Sequence, residues 1–435
     1  GMSACFPESS SRAKRGICGA IAGALLATSL ATSLAACGAG SVEPTPSRPA
    51  APTSLPRNLT PAEQDVLSAA NAFSFSLWGA INRAQRDSNV FVSPLSASFA
   101  LGMTMNGAAG QTYDEMRSAL QFGGASLASI DSGYKSLIAL LTGLDPLTTM
   151  QIANSIFYRK DFPFTQSFLS DASTWFDAEV KPQDFADVTG TLSAVNGWAS
   201  AKTNGRIPTV LEEVTPDEVM FLLNAIYFKG TWRDKFDASL THDDAFHPAT
   251  GSDQTAKLMF RDGKMAYAET NAFQAVDLAY GDSAFTMTVL LPKPGSDVEQ
   301  VAASLTPSAW QSLTASFVTR EVELTFPKVT FSWKRSLKDD MRSLGMQAAF
   351  VPDGADFTRM SSLGQHLYIS LLQQNTFVAI DEEGTEAAAV TLTGITATAA
   401  PVATEMRVDR PYVIVIRERL SGTILFMGKI ARMPS

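Results

Sequence analysis

The sequence predicts an α+β fold in one large domain over residues 60–435. Three observations predict it. Apolar residues recur at helical spacing mainly in the early part of that stretch and alternate at strand spacing mainly in the later part, without the regular βαβ order of a doubly wound sheet. No self-similarity with a period of 20–50 residues is present, which excludes solenoids and propellers. No Pro- or Gly-rich linker divides the chain after residue 60, so 435 residues, 45% of them hydrophobic, supply one sizeable core.

Ahead of that domain lie two segments of different composition. Arg12, Lys14 and Arg15 precede an uncharged run from Ile17 to Ala36 that closes on Leu34-Ala35-Ala36-Cys37-Gly38. Residues 1–36 therefore read as a signal peptide, and the chain as exported. The run is rich in Ala, Ser and Thr, which disfavours a retained membrane helix although about 20 residues would suffice to span. Its small-small-Cys ending resembles the lipobox of bacterial lipoproteins, which would make Cys37 the acylated N-terminus; simple secretion is the alternative. Residues 37–59, dense in Pro, Ser, Ala and Thr with no apolar period, read as a tether.

The domain opens with Thr60-Pro61-Ala62-Glu63, a capping-box pair with Pro at the first helical position, followed by Val66, Ala70, Phe73, Leu77 and Ile81 on one helical face. Ser93-Pro94 repeats the signature before an apolar run to Met105. Thr112 with Glu115 is expected to cap a short helix, and Ser336 with Asp339 another that stops at Gly345. Strand-like stretches cover Gln274–Leu291, Glu321–Trp333 and Leu367–Ile380, and a hairpin joins Tyr412–Arg417 to Thr423–Ile430.

Composition excludes several functions. Cys5, Cys18 and Cys37 are the three cysteines, so the domain folds without a disulfide, a thiolate-held metal or a thiol nucleophile. His242, His247 and His366 are too few and too scattered to favour a histidine metal cage or a Ser-His-Asp enzyme. A net charge of -9 argues against nucleic acid as a partner. G-x-S-x-G, H-E-x-x-H, Walker A and dinucleotide fingerprints are all missing. The acid pairs Asp243-Asp244 and Asp339-Asp340 read as solvated surface, and the Met and Phe residues of Met259–Met265 as core filling. No enzyme, cofactor or metal is expected.

One stretch resists an ordinary explanation. After the strand ending at Ile380, Asp381-Glu382-Glu383-Gly384-Thr385-Glu386-Ala387-Ala388-Ala389 runs into residues 390–402, made almost wholly of Ala, Thr, Gly, Val, Leu and Ile. A long surface loop with a nascent helix is the bland reading, but a structureless loop of this length inside a domain is usually functional. Read as a latent strand, Thr385, Ala387, Ala389, Thr391 and Thr393 face one side, all small and uncharged. Such a segment can slide between existing strands without burying a charge.

That segment resembles the hinge of inhibitory serpins. Other motifs of the family stand in order: Asn89-Val90-Phe91-Val92-Ser93-Pro94-Leu95-Ser96, Gly107-Ala108-Ala109-Gly110-Gln111-Thr112, Leu223-Asn224-Ala225-Ile226-Tyr227-Phe228-Lys229-Gly230-Thr231-Trp232, Phe326-Pro327-Lys328, and Leu425-Phe426-Met427-Gly428-Lys429-Ile430. The resemblance covers residues 62–433. It implies a metastable fold of three β-sheets and about nine helices with an exposed reactive-centre loop. A serine protease would cut the loop and become acylated, and the cut loop would enter the main sheet and distort the enzyme before deacylation. The partner is thus a serine protease held as a covalent acyl complex by a monomeric inhibitor, with a membrane reached only through Cys37 on the periplasmic face or cell surface.

The resemblance also places the functional residues. The hinge is Glu382, Glu383, Gly384, Thr385, Glu386, Ala387, Ala388 and Ala389. Ser93, Ser96, Asn224 and Trp232 match the region that opens, and Lys328 with Glu382 matches an ion pair at the top of the sheet. Gln374 stands where many members carry a buried His, so a pH-sensitive opening is not expected. The bait bond is Thr398-Ala399, with Ala397-Thr398 and Ala399-Ala400 as alternatives; Ala400-Pro401 is a poor bond because its leaving nitrogen is proline's. Small residues on the acyl side suit an elastase-like or subtilisin-like pocket. Thr385 is expected at the exposed base of the loop in the uncut chain. The rival readings are a non-inhibitory serpin used as carrier, chaperone or storage protein, and an adhesion lipoprotein.

Overall fold

The computed structural model describes residues 50–215, 218–385 and 403–434. The chain opens with α1 (Pro61–Ala84), β1 (Val90–Val92), α2 (Pro94–Met105), α3 (Gly110–Ala119) and α4 (Leu127–Thr142). Next come β2 (Thr148–Arg159), α5 (Gln166–Phe176), β3 (Glu179–Gln183), α6 (Val188–Lys202) and β4 (Met220–Thr231). A strand-rich stretch follows with β5 (His242–Phe246), β6 (Gln254–Glu269), β7 (Phe273–Ala279) and β8 (Phe285–Pro292), then α7 (Val298–Ser304) and α8 (Pro307–Ala315). The remainder is β9 (Val318–Pro327), β10 (Val329–Ser336), α9 (Lys338–Ser343), β11 (Gln373–Ile380), β12 (Gly384–Thr385), β13 (Thr404–Arg407), β14 (Tyr412–Glu418) and β15 (Ile424–Ile430).

The described strands pair into two sheets. One has six strands in the order β10-β11-β12-β4-β2-β3; the other has nine, running β1-β15-β14-β8-β7-β6-β9-β13 with β5 beside β6. The three sheets that the motifs imply merge into two because β6 is 16 residues long and changes partners along its length. Its first part pairs with β5, its middle with β9 and its last residues with β7.

Local chemistry explains the helix ends. Thr60 caps α1 as its spacing predicts: its hydroxyl accepts from Glu63 N–H while the Glu63 carboxylate accepts from Thr60 N–H. Val66, Phe73, Leu77, Trp78 and Ile81 of α1 are buried, and the Trp78 indole donates to the Ala302 carbonyl. Burying a side chain such as Phe73 contributes about 1.5–3 kcal/mol. The capping expected of Thr112 is not found. α3 starts two residues earlier, at Gly110, and the Thr112 hydroxyl accepts from Asp356 N–H instead. Nor does Ser336 cap α9, because Ser336 ends β10 and Leu337 holds the cap position without a side-chain bond.

Long apolar runs also divide where turns intervene. Gln274–Leu291 is two antiparallel strands, β7 and β8, separated by a turn with positive φ at Gly281 and Ser283. Glu321–Trp333 splits between the two sheets after Pro327. Residues 50–59, read as the end of a tether, are fastened to the body: Arg57 grips the Glu63 carboxylate with both terminal nitrogens, and Arg419 donates to the Pro52 carbonyl.

Candidate functional site

The six-stranded sheet has an unusual middle. β4 and β11 make no pairs with each other among the described residues; only the two residues of β12 lie between them. Gly384 pairs with Thr231 and Thr385 with Gly230 on one side, and Thr385 with Ile380 on the other. Below these residues the two strands bound a cavity of about 220 Å³, lined among others by Ser96, Thr104, Trp198, Asn224, Leu372 and Gln374. Residues of α2 and α6 also line it. Among the described residues β4 and β11 thus flank a gap that only β12 enters.

Residues 381–385, which include the first part of the expected hinge, are held by several elements. Trp232 N–H donates to the Glu383 carbonyl, and its indole N–H to the Asp381 carbonyl at 2.8 Å. Lys328 Nζ donates to Glu382 Oε2 at 2.6 Å and Thr241 Oγ1 to Glu382 Oε1 at 2.8 Å, while Lys235 pairs with Glu383. Partial burial pushes the Glu382 carboxyl up, but the bonds from Lys328 and Thr241 outweigh it and the net shift is downward. Burial raises the neighbouring Asp381, which accepts from the N–H groups of Glu383 and Gly384.

Gly384 and Thr385 occupy a close-fitting seat. Gly384 has φ +153°, and a Cβ there would lie 2.1 Å from the Gly230 carbonyl oxygen. Gly230 must itself be glycine because a Cβ would lie 2.5 Å from the Tyr280 ring. Tyr280 stacks on Trp232 at 4.5 Å and its hydroxyl lies 2.7 Å from Thr385 Oγ1. Burial raises the Tyr280 phenol far above its ordinary value. Thr385 is 4% exposed, which corrects the expectation that it sits at an exposed loop base. The seat is made by Gly230, which lies in a quoted motif, and by Tyr280, which lies in none, so motif position alone does not show it.

Deeper in the groove the polar residues form a network. Gln374 is buried, and its amide both accepts from Ser93 N–H and donates to Ser93 C=O, each at 2.8 Å. Ser93 Oγ donates to the Leu425 carbonyl, Ser96 Oγ to Asn224 Oδ1, and Asn224 Nδ2 to Asn154 Oδ1 at 2.6 Å. An amide meets both demands of Ser93 without titrating. Asn154, Tyr280, Thr241 and Lys235 lie outside the quoted motifs; Gly230 lies within one, as an isolated Gly in a strand, but without an assigned role. Glu386, Ala387, Ala388, Ala389, the bait residues Ala397, Thr398, Ala399 and Ala400, and Cys37 lie outside the described residues.

A gap between β4 and β11 that holds only a two-residue strand among the described residues, and two sheets of six and nine strands, define a fold of one class. Residues 68–433 match the family model described as serpin (serine protease inhibitor), and the chain belongs to the serpin family. It is 30% identical to human serpin B11 over 84% of this chain and 99% of that protein, and 31% identical to the leukocyte elastase inhibitor of Xenopus laevis over the same shares. A serpin-like protein of Thermococcus kodakarensis is 30% identical over 85% of this chain and 86% of its own. Among solved structures, the thermophilic serpin tengpin in its native state superposes with TM-score 0.77 at 28% identity, covering 88% of this chain and 97% of that one. Human thyroxine-binding globulin complexed with thyroxine gives TM-score 0.78 at 26% identity, covering 86% and 100%.

Proposed function

We propose that this chain inhibits serine proteases by offering residues 386–402 as bait and taking the cut segment into the groove between β4 and β11. The observation that carries this reading is the two-residue strand β12, which pairs with both walls and points the chain into an otherwise unoccupied edge-to-edge gap among the described residues. Continued residue by residue, that register brings Ala387 opposite Phe228 and Val378, Ala389 opposite Ile226 and Thr376, and Thr391 opposite Asn224 and Gln374. Each incoming inward residue is small and uncharged, so filling the gap satisfies two strand edges without burying a charge.

Cleavage between Thr398 and Ala399 suits a protease with a small, apolar specificity pocket, of elastase or subtilisin type, and a leukocyte elastase inhibitor is among the similar proteins. Exported through residues 1–36 and acylated at Cys37, the inhibitor would work at a membrane surface or its periplasmic face. The test mixes the purified chain with elastase-type, subtilisin-type and trypsin-type enzymes. A covalent band on a denaturing gel with one of the first two, and a C-terminal peptide whose mass starts at Ala399, is the expected result. Cleavage without any trapped enzyme would support the carrier reading instead, which the likeness to a thyroxine-binding globulin keeps in view.

A further inference from the structure

The fastened segment ahead of α1 and the hinge seat converge on one turn. Arg57 holds the segment by its paired bonds to Glu63, 2.7 and 2.5 Å, and by a third to Ser136 Oγ of α4 at 3.2 Å. Five residues earlier, the Pro52 carbonyl accepts from an Arg419 terminal nitrogen. The same guanidinium donates through Nε to the Ser283 carbonyl at 2.8 Å, and Arg419 N–H donates to the Ala284 carbonyl at 2.7 Å. Ser283 belongs to the turn that follows Tyr280.

That turn is strained and held from several sides. Ser283 has φ +76°, a left-handed conformation that is unfavourable for a residue other than glycine. Its N–H donates to the Tyr280 carbonyl at 2.6 Å, Gly281 N–H donates to the Thr231 carbonyl at 2.8 Å, and Asp282 N–H donates to Asp145 Oδ2 at 2.9 Å. Asp145 lies just beyond the end of α4, the helix that carries Ser136. The turn thus places Tyr280 against Thr385 and braces Thr231, the partner of Gly384.

We infer that residues 50–59 are a strap that governs how firmly the hinge is seated. Through Arg419 on one side and α4 with Asp145 on the other, the bound strap supports the turn that positions the Tyr280 hydroxyl. Loosening it withdraws an acceptor from Arg419 and relaxes the strained turn, so Thr385 leaves its seat more often. Because coupling between two sites is reciprocal, withdrawing the hinge also loosens the strap. Events on the segment ahead of the domain, such as a pull on its anchor or a protease cut, thereby reach the inhibitory loop. The consequence for inhibition rests on the loop-insertion reading, whereas the seat itself is testable without a protease.

The experiment is amide hydrogen exchange on the full chain, comparing wild type with a variant in which residues 50–57 are replaced by a Gly-Ser stretch of equal length. Peptides covering 380–385 and 229–232 are expected to exchange at least threefold faster, while peptides from β15 keep their wild-type rate. Equal hinge rates in the two proteins would overturn the proposal. If β15 also accelerates, the milder Arg57→Gln variant is read in the same way. The reciprocal arm uses Gly384→Ala, whose Cβ cannot fit the seat: exchange over residues 50–59 should rise, and an unchanged rate there would equally refute the coupling. Failure of wild type to trap any protease would leave these outcomes intact and count only against the inhibitory reading.

Discussion

A Thr385→Arg substitution tests the seat and the mechanism together. Wild-type Thr385 is 4% exposed and its hydroxyl meets Tyr280 at 2.7 Å. Losing the buried methyl costs about 0.8 kcal/mol, and losing the bond with the buried Tyr280 hydroxyl left unpartnered about 1–3 kcal/mol. The seat is therefore worth about 2–4 kcal/mol. Burying an unpaired guanidinium beside Tyr280 would cost more, so the arginine leaves the seat and draws Gly384 with it. Uncut Thr385→Arg should melt a few degrees below wild type. At 1.36 kcal/mol per tenfold in rate, the same 2–4 kcal/mol raised against insertion slows it by about 30-fold to 1,000-fold. Acylation is untouched, so deacylation wins and the variant is cut at the wild-type bond as a substrate. The assay is titration of an elastase-type enzyme with gel quantification of the covalent complex, beside melting curves of cut and uncut protein. Complex formation at wild-type stoichiometry would refute insertion at residue 385 as the source of inhibition; an unchanged melting point would refute the energetic weight of the seat.

Thr391→Val should lower the thermal gain of the cut protein by about 1 kcal/mol, the worth of one hydrogen bond at the Asn224–Gln374 level, while Thr393→Val changes it little; equal effects would show a different register. Gln374→His should introduce a pH dependence of loop insertion between about pH 5 and 8, because imidazolium offers two donors and cannot accept from Ser93 N–H, whereas wild type stays flat over that range. Burial pushes the Asp131 carboxyl up to about 6, against a bond from Asn106. A carboxyl whose folded pKa is raised loses stability as pH climbs through about 4–6, so Asp131→Asn should stabilise the protein by about 1–3 kcal/mol at pH 7.5 and hardly at pH 4, read by denaturant unfolding. Cys37→Ser should abolish labelling by a fatty acid and release the protein from membranes; persistent labelling would remove the lipid anchor from the proposal.

Local signals carried much of the fold. Thr60, Pro61 and Glu63 act within one helical turn, so α1 begins where its sequence says. The Lys328–Glu382 pair and the Ser93–Gln374 contact follow from motif positions and are found as bonds. What stayed hidden depends on partners remote in sequence. The Tyr280–Thr385 contact spans the two sheets, and no periodicity near either residue announces it. Residues 50–59 read as tether because composition reports the absence of an apolar face, yet Pro52 is held through its backbone carbonyl, which composition never reports. The strand-like run Gln274–Leu291 was legible in its apolar content but not in its break, since Ser283 adopts a left-handed conformation that glycine would have advertised.

The two ends of the proposed bait segment are anchored very differently. On one side stands β12, two residues long; on the other β13 pairs in parallel with β9 and leads into β14, which lies wholly buried between β8 and β15. A cut between them therefore yields two polypeptides that remain one particle. The shorter piece carries three strands of the nine-stranded sheet, β14 and β15 paired on both sides near one end and β13 against β9 at the other, so it should separate only under denaturing conditions, and native mass should stay that of the whole chain. If the cut segment inserts as proposed, all the travel falls to the other end, and the molecule would be a one-way device: once spent, it would have no free strand left with which to reset.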